Sequence, residues 1–451
     1  MDQDDALDAR RVAEVLTAVA AGDAGRLTAL LEPLHAADIA DLLEQIGPGE
    51  RRDFLALWSG EIDGDILSEI DESIRDEVVG ALPAEVLAEA VRDLETDDVV
   101  DLVENLEKPG AQQAVLAALG SADRAAVEAA LAWPEYSAGR LMQREVVVAP
   151  THWTVGAAID HLRGADALPD QFYHMILVDP RMVPVGYVTL GRILSSRRDV
   201  ALTAIAEDSF RTVQATESET DVAYIFNQYH LISLPVVDAG GRLAGVITID
   251  DAMTVLDEEH EEDMLRLAHV GDEESLSDGP LATARQRLPW LVVNLMTASL
   301  SALVISVFAG TIEAIVALAV LMPIVASTGG IAGTQTLAVA VRSLATRDLT
   351  AANARRVVLR ELGAGAMNGA ALALLLGTAG GLIFRDARIG VVLGMAMIVN
   401  QIVAALGGVL VPLTMERLKL DPALASGTFV TTLTDVMGFF AFLGLATWVL
   451  M

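Results

Sequence analysis

From residue 281 to the end, the chain consists of runs too apolar to remain in water. Charge-free segments cover 288–312, 314–341, 362–384 and 389–415, and a fifth run, 422–451, holds a single charge, Asp435. A helix that crosses a bilayer needs about 20 apolar residues, so each run is long enough. The pattern predicts five membrane helices within residues 281–451, joined by short connections. Whatever residues 1–280 fold into must therefore work beside a lipid bilayer.

The charge divides at the same place. Residues 1–280 hold 19 Lys and Arg against 56 Asp and Glu, a net of −37, whereas residues 281–451 hold 11 against 7, a net of +4, within a whole-chain charge of −33. So acidic a portion repels itself and disfavours nucleic acid and anionic surfaces while attracting cations. Divalent cations are its natural partners; adaptation to a saline cytoplasm is the other source of such a composition. There is no cysteine, which excludes disulfides, thiolate chemistry and Cys-based zinc sites. The seven histidines show no His-Glu-x-x-His pattern and no Gly-Lys-Ser phosphate loop occurs, so no enzyme motif is present. His260, beside carboxylates, reads as a surface residue.

Basic residues orient the bundle. Arg285 and Arg287 precede the first run, Arg342, Arg347, Arg355, Arg356 and Arg360 follow the second, and Arg417 and Lys419 follow the fourth, all on one side; only Arg385 and Arg388 fall on the other. The N-terminus is acidic and lacks an apolar leader. The expected placement is the inner (cytoplasmic) membrane, with the N-terminus cytoplasmic and the C-terminus outside.

Residues 1–135 carry apolar positions at steps of three and four, the mark of amphipathic helices with acidic outer faces. A weak repeat relates Asp38-Ile39-Ala40-Asp41-Leu42-Leu43-Glu44 to Asp98-Val99-Val100-Asp101-Leu102-Val103-Glu104, which predicts stacked helix pairs forming a superhelical domain. Residues 136–254 are duplicated at an offset of 59: Val178, Asp179, Gly186 and Thr189 recur as Val237, Asp238, Gly245 and Thr248. Each copy reads as helix, strand, turn, strand, helix. This is similar to a tandem pair of cystathionine-β-synthase (CBS) domains, at 136–200 and 201–254. The resemblance implies an adenine-nucleotide site in which the Thr248 and Asp251 of a Thr-x-x-Asp element hold the ribose; the first copy has Arg192 in place of the carboxylate.

The densest acidic run comprises Asp250, Asp251, Asp257, Glu258, Glu259, Glu261, Glu262 and Asp263. From Asp250 to Asp263 it reads as one helix joining the CBS pair to the membrane, with the connecting segment proper at 255–280. Like charges at helical spacing are unfavourable without counter-ions, so these carboxylates, with Asp97, Asp98 and Asp101, are candidate cation sites; a solvated linker helix is the alternative.

Within the membrane runs, Asp435 has no basic residue at the same depth to pair with, and an intramembrane carboxylate is costly unless it faces protein, water or a cation. Glu313, Asn400 and Asp421 are further polar groups at membrane depth or its edges, with Asn400 also readable as helix-packing glue and Asp421 as a helix cap. Pro323 and the stretch from Ser327 through Gly329, Gly330, Gly333, Thr334 and Gln335 to Thr336 combine helix-loosening with small and hydroxyl residues. Carbonyls freed there could line a water-filled path, or the glycines could simply permit close packing.

Several segments now carry a more specific resemblance: Tyr136-Ser137-Ala138-Gly139-Arg140-Leu141-Met142, Ser233-Leu234-Pro235-Val236-Val237-Asp238, Val341-Arg342-Ser343-Leu344-Ala345-Thr346, and Asp421-Pro422-Ala423-Leu424-Ala425-Ser426 leading to Thr431-Thr432-Leu433-Thr434-Asp435. Over essentially its whole length the chain resembles the MgtE family of magnesium transporters. The resemblance implies a multidomain membrane protein: a homodimeric Mg²⁺ channel with a helical N-domain, paired CBS domains, a connecting plug helix and five membrane helices. It implies that Asp435 faces its symmetry mate across the pore, and that cytosolic Mg²⁺ closes the pore by binding at acidic interfaces of the N-domain, CBS pair and plug helix. Metal-binding residues expected on this basis are Asp435, Asp421, Glu313, Asn400, Thr334, Asp97, Asp98, Asp101, Asp250, Asp251, Glu258, Glu259, Glu262 and Asp263, with adenine nucleotide at Thr248 and Asp251. Two departures stand out: Ile331 where the family usually has Asn, and Thr428 where Pro is common. A membrane-tethered adenine-nucleotide sensor is the other function compatible with the sequence.

Overall fold

A computed structural model describes residues 7, 9–106, 108–165, 168–169, 172–268, 270 and 279–451. Its contacts divide into two units, Met1–Glu258 and Glu259–Met451.

The first unit begins with short helices between Ala9–Ala21 and Ser121–Ala130. Many start on side-chain caps: Asp23 accepts from the Arg26 amide at 3.0 Å and Asp63 from the Ile66 amide at 3.0 Å. Their apolar stripes meet in one core that includes Leu27, Leu42, Leu43, Phe54, Leu67 and Leu102. Both copies of the predicted repeat supply buried residues to it, Ile39, Leu42 and Leu43 from one and Val99, Leu102 and Val103 from the other. Arg51, only 3% exposed, donates to the carbonyls of Leu43 at 2.7 Å and Ile46 at 3.1 Å and pairs with Glu77 at 2.7 Å.

The duplicated region forms two three-stranded sheets of identical topology. Strands β1 (Val148–Pro150) and β2 (His174–Val178) run parallel, and β2 pairs antiparallel with β3 (Pro184–Thr189). In the second sheet, β4 (Val213–Gln214), β5 (Ser233–Val237) and β6 (Leu243–Thr248) repeat that arrangement. The offset of 59 holds down to the register, since the ladder irregularity at Leu177/Val178 recurs at Val236/Val237. The two copies meet where His174 and its counterpart Ser233 approach, Nδ1 to Oγ, at 2.5 Å.

Helix Ile249–Leu267 leaves β6 directly. Beginning at Ile249, it takes in the whole acidic run from Asp250 to Asp263 and overlaps the end of the second CBS copy; the described helix ends at Leu267, and of the predicted 255–280 stretch residues 269 and 271–278 lie outside the described residues. In the second unit five helices are long and apolar enough to cross a membrane: spans one to five are Pro280–Val307, Ala317–Ala345, Ala354–Ile383, Ala387–Arg417 and Pro422–Leu450. Span four is the most enclosed, packing against spans two, three and five. Gly377 and Gly390 let spans three and four touch backbone to backbone, a contact a Cβ at Gly390 would prevent.

Replacing Arg51 by Met is expected to strand Glu77 and two carbonyls and to destabilise the helical region by about 3 kcal/mol. Faster amide hydrogen exchange across residues 36–79, with residues 389–415 unchanged, would register that loss.

Candidate functional site

Spans two, four and five meet at glycines. A Cβ on Gly329 of span two or Gly438 of span five would run into the Asn400 amide, and one on Gly333 would press on Val430 and Thr434. Asn400 is fully buried there and donates through Nδ2 to the Val325 carbonyl at 2.8 Å, while its Oδ1 has no partner among the described residues. Gln401 donates to the Thr328 carbonyl at 3.4 Å. Span two therefore stays a single helix through Pro323 and Gly329-Gly330. In this stretch the Val325 and Thr328 carbonyls accept from span four. Thr334 is exposed and donates to the Ile331 carbonyl of its own helix at 2.9 Å, and Ile331 itself is exposed.

On span five, Thr434 and Gly438 turn into this junction and Asp435 lies on the adjacent stripe, half-buried. Nearby hydroxyls are committed to their own helix: Thr431 donates to Gly427 at 2.8 Å, Thr432 to Thr428 at 2.6 Å and Thr434 to Thr431 at 2.9 Å. Asp435 has no hydrogen-bond or ion-pair partner among the described residues. Fourteen residues earlier, about 21 Å along the helix, Asp421 caps span five by accepting from the Ala423 amide at 2.7 Å. Glu313, exposed on the short helix Ala309–Ala314, belongs to the opposite end, where Thr311 meets Thr447 Oγ1 at 2.8 Å. Thr447 lies about 18 Å from Asp435 by helical rise. The predicted membrane carboxylates thus occupy three levels rather than one site.

At the Asp421 level the structure adds a residue that pattern reading passed over. Arg266, in the last turn of Ile249–Leu267, pairs with Asp421 at 2.9 Å and Glu262 at 2.7 Å. Asp263 lies beside them, its carboxyl pushed up by burial and by Asp421 and Glu259, with Arg266 and His260 offsetting part of the effect. Leu267 packs with Leu337, Val341, Ala423 and Val430 of spans two and five. Arg266 is the only Lys or Arg between Arg242 and Arg285, and that isolation in an acidic run was the available signal.

The first unit gathers a second group of carboxylates. Helix Thr96–Glu104 brings Asp97 and Asp98 to the start of helix Ile249–Leu267, which supplies Asp250 and Asp251. Glu95 and Glu145, not singled out from sequence, complete the group. Burial pushes Asp98 up to about 7, with Glu95, Asp101 and Asp250 adding to it. Burial likewise takes Glu95 to about 7, with Glu145, Asp251 and Asp250 adding, and holds buried Asp97 well above the usual carboxylate range beside Asp251. Asp251 reaches about 7 through burial and its neighbours Asp250 and Asp98, against the Thr248 hydroxyl that donates to it at 2.5 Å. Asp101 is set apart by its partners, Arg75 at 3.0 Å and Asn105 at 2.8 Å. Among the described residues no three His, Asp or Glu side chains converge tightly enough to hold a bare ion. Glu258 and Glu259 follow on the same helix, Glu258 on its exposed face.

The same architecture occurs in known proteins. Residues 322–445 match the family model described as divalent cation transporter, residues 34–136 the MgtE intracellular N domain, and residues 202–258 the CBS domain. A magnesium transporter MgtE of Thermus thermophilus is 30% identical over 94% of this chain and 95% of its own length. The chain belongs to the MgtE family of magnesium transporters. A further MgtE relative, from Enterococcus faecalis, is 33% identical over 70% of each chain. The crystal structure of the cytosolic domain of an Mg²⁺ channel MgtE in complex with ATP covers 54% of this chain and 99% of its own, at 27% identity and a TM-score of 0.50.

In this MgtE-family member the carboxylates near 7 have a pH signature. Their values are raised above those of an unfolded chain, so the folded cluster holds protons that the unfolded chain has lost. The contact between helix Thr96–Glu104 and the start of Ile249–Leu267 is therefore strongest in acid and weakens as pH rises from about 4 to 7. In EDTA, the melting temperature of the acidic cytosolic region should fall across that window; added Mg²⁺ should flatten the dependence.

Proposed function

We propose that the chain is a homodimeric Mg²⁺ channel that imports the ion across the cytoplasmic membrane and is closed by cytosolic Mg²⁺. The observation that carries this reading is Asp435, a half-buried carboxylate inside a membrane span, with its neighbouring hydroxyls committed elsewhere. A symmetry mate across a two-fold axis would place two such carboxylates around one path. Mg²⁺ sheds its waters reluctantly, so a carboxylate pair accepting hydrogen bonds from those waters suits a hydrated ion. Asp421 and Glu313 serve as mouths of the same path. Asn400 acts by holding span two against span five, and Thr334 lies on the exposed face of span two beside Ile331.

Gating follows from the acidic groups. Asp97, Asp98, Asp250 and Asp251, with Glu258, Glu259, Glu262 and Asp263 further along the helix, repel one another when both helices close without a cation. Hydrated Mg²⁺ bridging them favours the closed arrangement, and its loss favours the open one; the ion must bind the closed state more tightly for this to work. The ATP complex of the related cytosolic domain supports an adenine nucleotide at the CBS pair, with Asp251 shared between ribose contact and the acidic group.

Asp435→Ala is expected to lower Mg²⁺ uptake into proteoliposomes at least a hundredfold, and wild-type flux in that variant would refute the pore role. Neutralising Asp250, Glu258 and Glu259 together should leave flux high at millimolar cytosolic-side Mg²⁺, where the unmodified channel closes.

A further inference from the structure

The end of the connecting helix is held by two contacts that need no metal. Arg266 reaches Asp421, the cap of span five, at 2.9 Å and Glu262 at 2.7 Å. Its side chain is 20% exposed and that of Asp421 31%, so the pair is shielded from water more than an ordinary surface bridge. Leu267, the next residue, is partly buried and packs against Leu337 and Val341 of span two and Ala423 and Val430 of span five. A guanidinium with two carboxylates in reach is a tethered cation. It occupies the position where Asp421, Glu262 and Asp263 would otherwise attract a free one.

We propose that Arg266 is a positioning residue for gating: a covalently attached counter-ion that clasps helix Ile249–Leu267 to the start of span five without Mg²⁺, and so sets the Mg²⁺ concentration at which the channel closes. This rests on the gating reading above. With the clasp intact, the helix end is already docked and part of the charge on Glu262 and Asp421 is neutralised, so the free ion has less left to bridge there and on the acidic face upstream. Without it, Asp421, Glu262, Asp263 and Glu259 are left facing one another, and Mg²⁺ must be recruited there as well. Removal of the guanidinium therefore raises the closing concentration and steepens its dependence on Mg²⁺, because more ions bind per closure. Saturating Mg²⁺ still closes the channel.

The test uses the full chain in lipid nanodiscs and proteoliposomes. Hydrogen exchange in EDTA should show the amides of residues 263–267 protected in the unmodified protein and exposed in Arg266→Gln, with Arg266→Lys restoring protection; rapid exchange in the unmodified protein would overturn the clasp. In flux measurements, Arg266→Gln should need about five times more cytosolic-side Mg²⁺ to close, as expected for a partly shielded pair, with unchanged flux at zero cytosolic Mg²⁺ and recovery in Arg266→Lys. Closure at the same or lower Mg²⁺ would make the guanidinium a spectator or a competitor of the ion, contrary to the proposal. Protected amides together with flux that Mg²⁺ never closes in the unmodified protein would leave the docking contact standing and overturn its assignment to gating.

Discussion

Carboxylates crowded together where water is scarce are the interaction on which the cytosolic architecture turns. Helix Thr96–Glu104 and the start of helix Ile249–Leu267 each bring acids to a shared face, and burial lifts Glu95, Asp98 and Asp251 to about 7. Apolar packing among Leu42, Leu67 and Leu102 and their neighbours supplies the stability that allows this arrangement to persist. A bound proton relieves that repulsion, and on the function proposed above a divalent cation would compete with it for the same groups.

The membrane unit solves the opposite problem. Its helices must approach closely without a hydrophobic driving force between them. Glycines at 329, 333, 377, 390 and 438 give the approach, and the Asn400 amide fills the junction of three helices. Once Thr434 and Gly438 are fixed inward, helical geometry leaves Asp435 on the flank. The position of that carboxylate is a by-product of packing one residue away.

Much of this was legible in the chain. Charge-free runs located the five spans, and the 59-residue duplication anticipated two sheets that share even a ladder irregularity. Asp435 was conspicuous because a lone charge in an apolar run is costly. What could not be read were contacts between residues far apart in sequence. Glu145 joins Glu95 and Thr96 only through the fold, and Arg266 meets Asp421 across more than 150 positions. Pattern reading grouped acids by proximity along the chain, so it could not show that Asp101 pairs with Arg75. It likewise left Pro323 and the glycine pair open between loosened backbone and close packing; span two stays one helix there, with Asn400 and Gln401 donating to the Val325 and Thr328 carbonyls.

The three levels of carboxylate along span five bear on how ions would succeed one another. Two divalent ions about 20 Å apart in a water-filled path repel by about 0.8 kcal/mol, little more than thermal energy. An ion at the Asp421 level would scarcely push one at Asp435, and one at Glu313 would scarcely push either. Closely spaced filters gain speed because each arriving ion expels the one ahead. A path with levels this far apart has no such relay, so residence at Asp435 alone would set the turnover, and tighter grip there would mean slower passage.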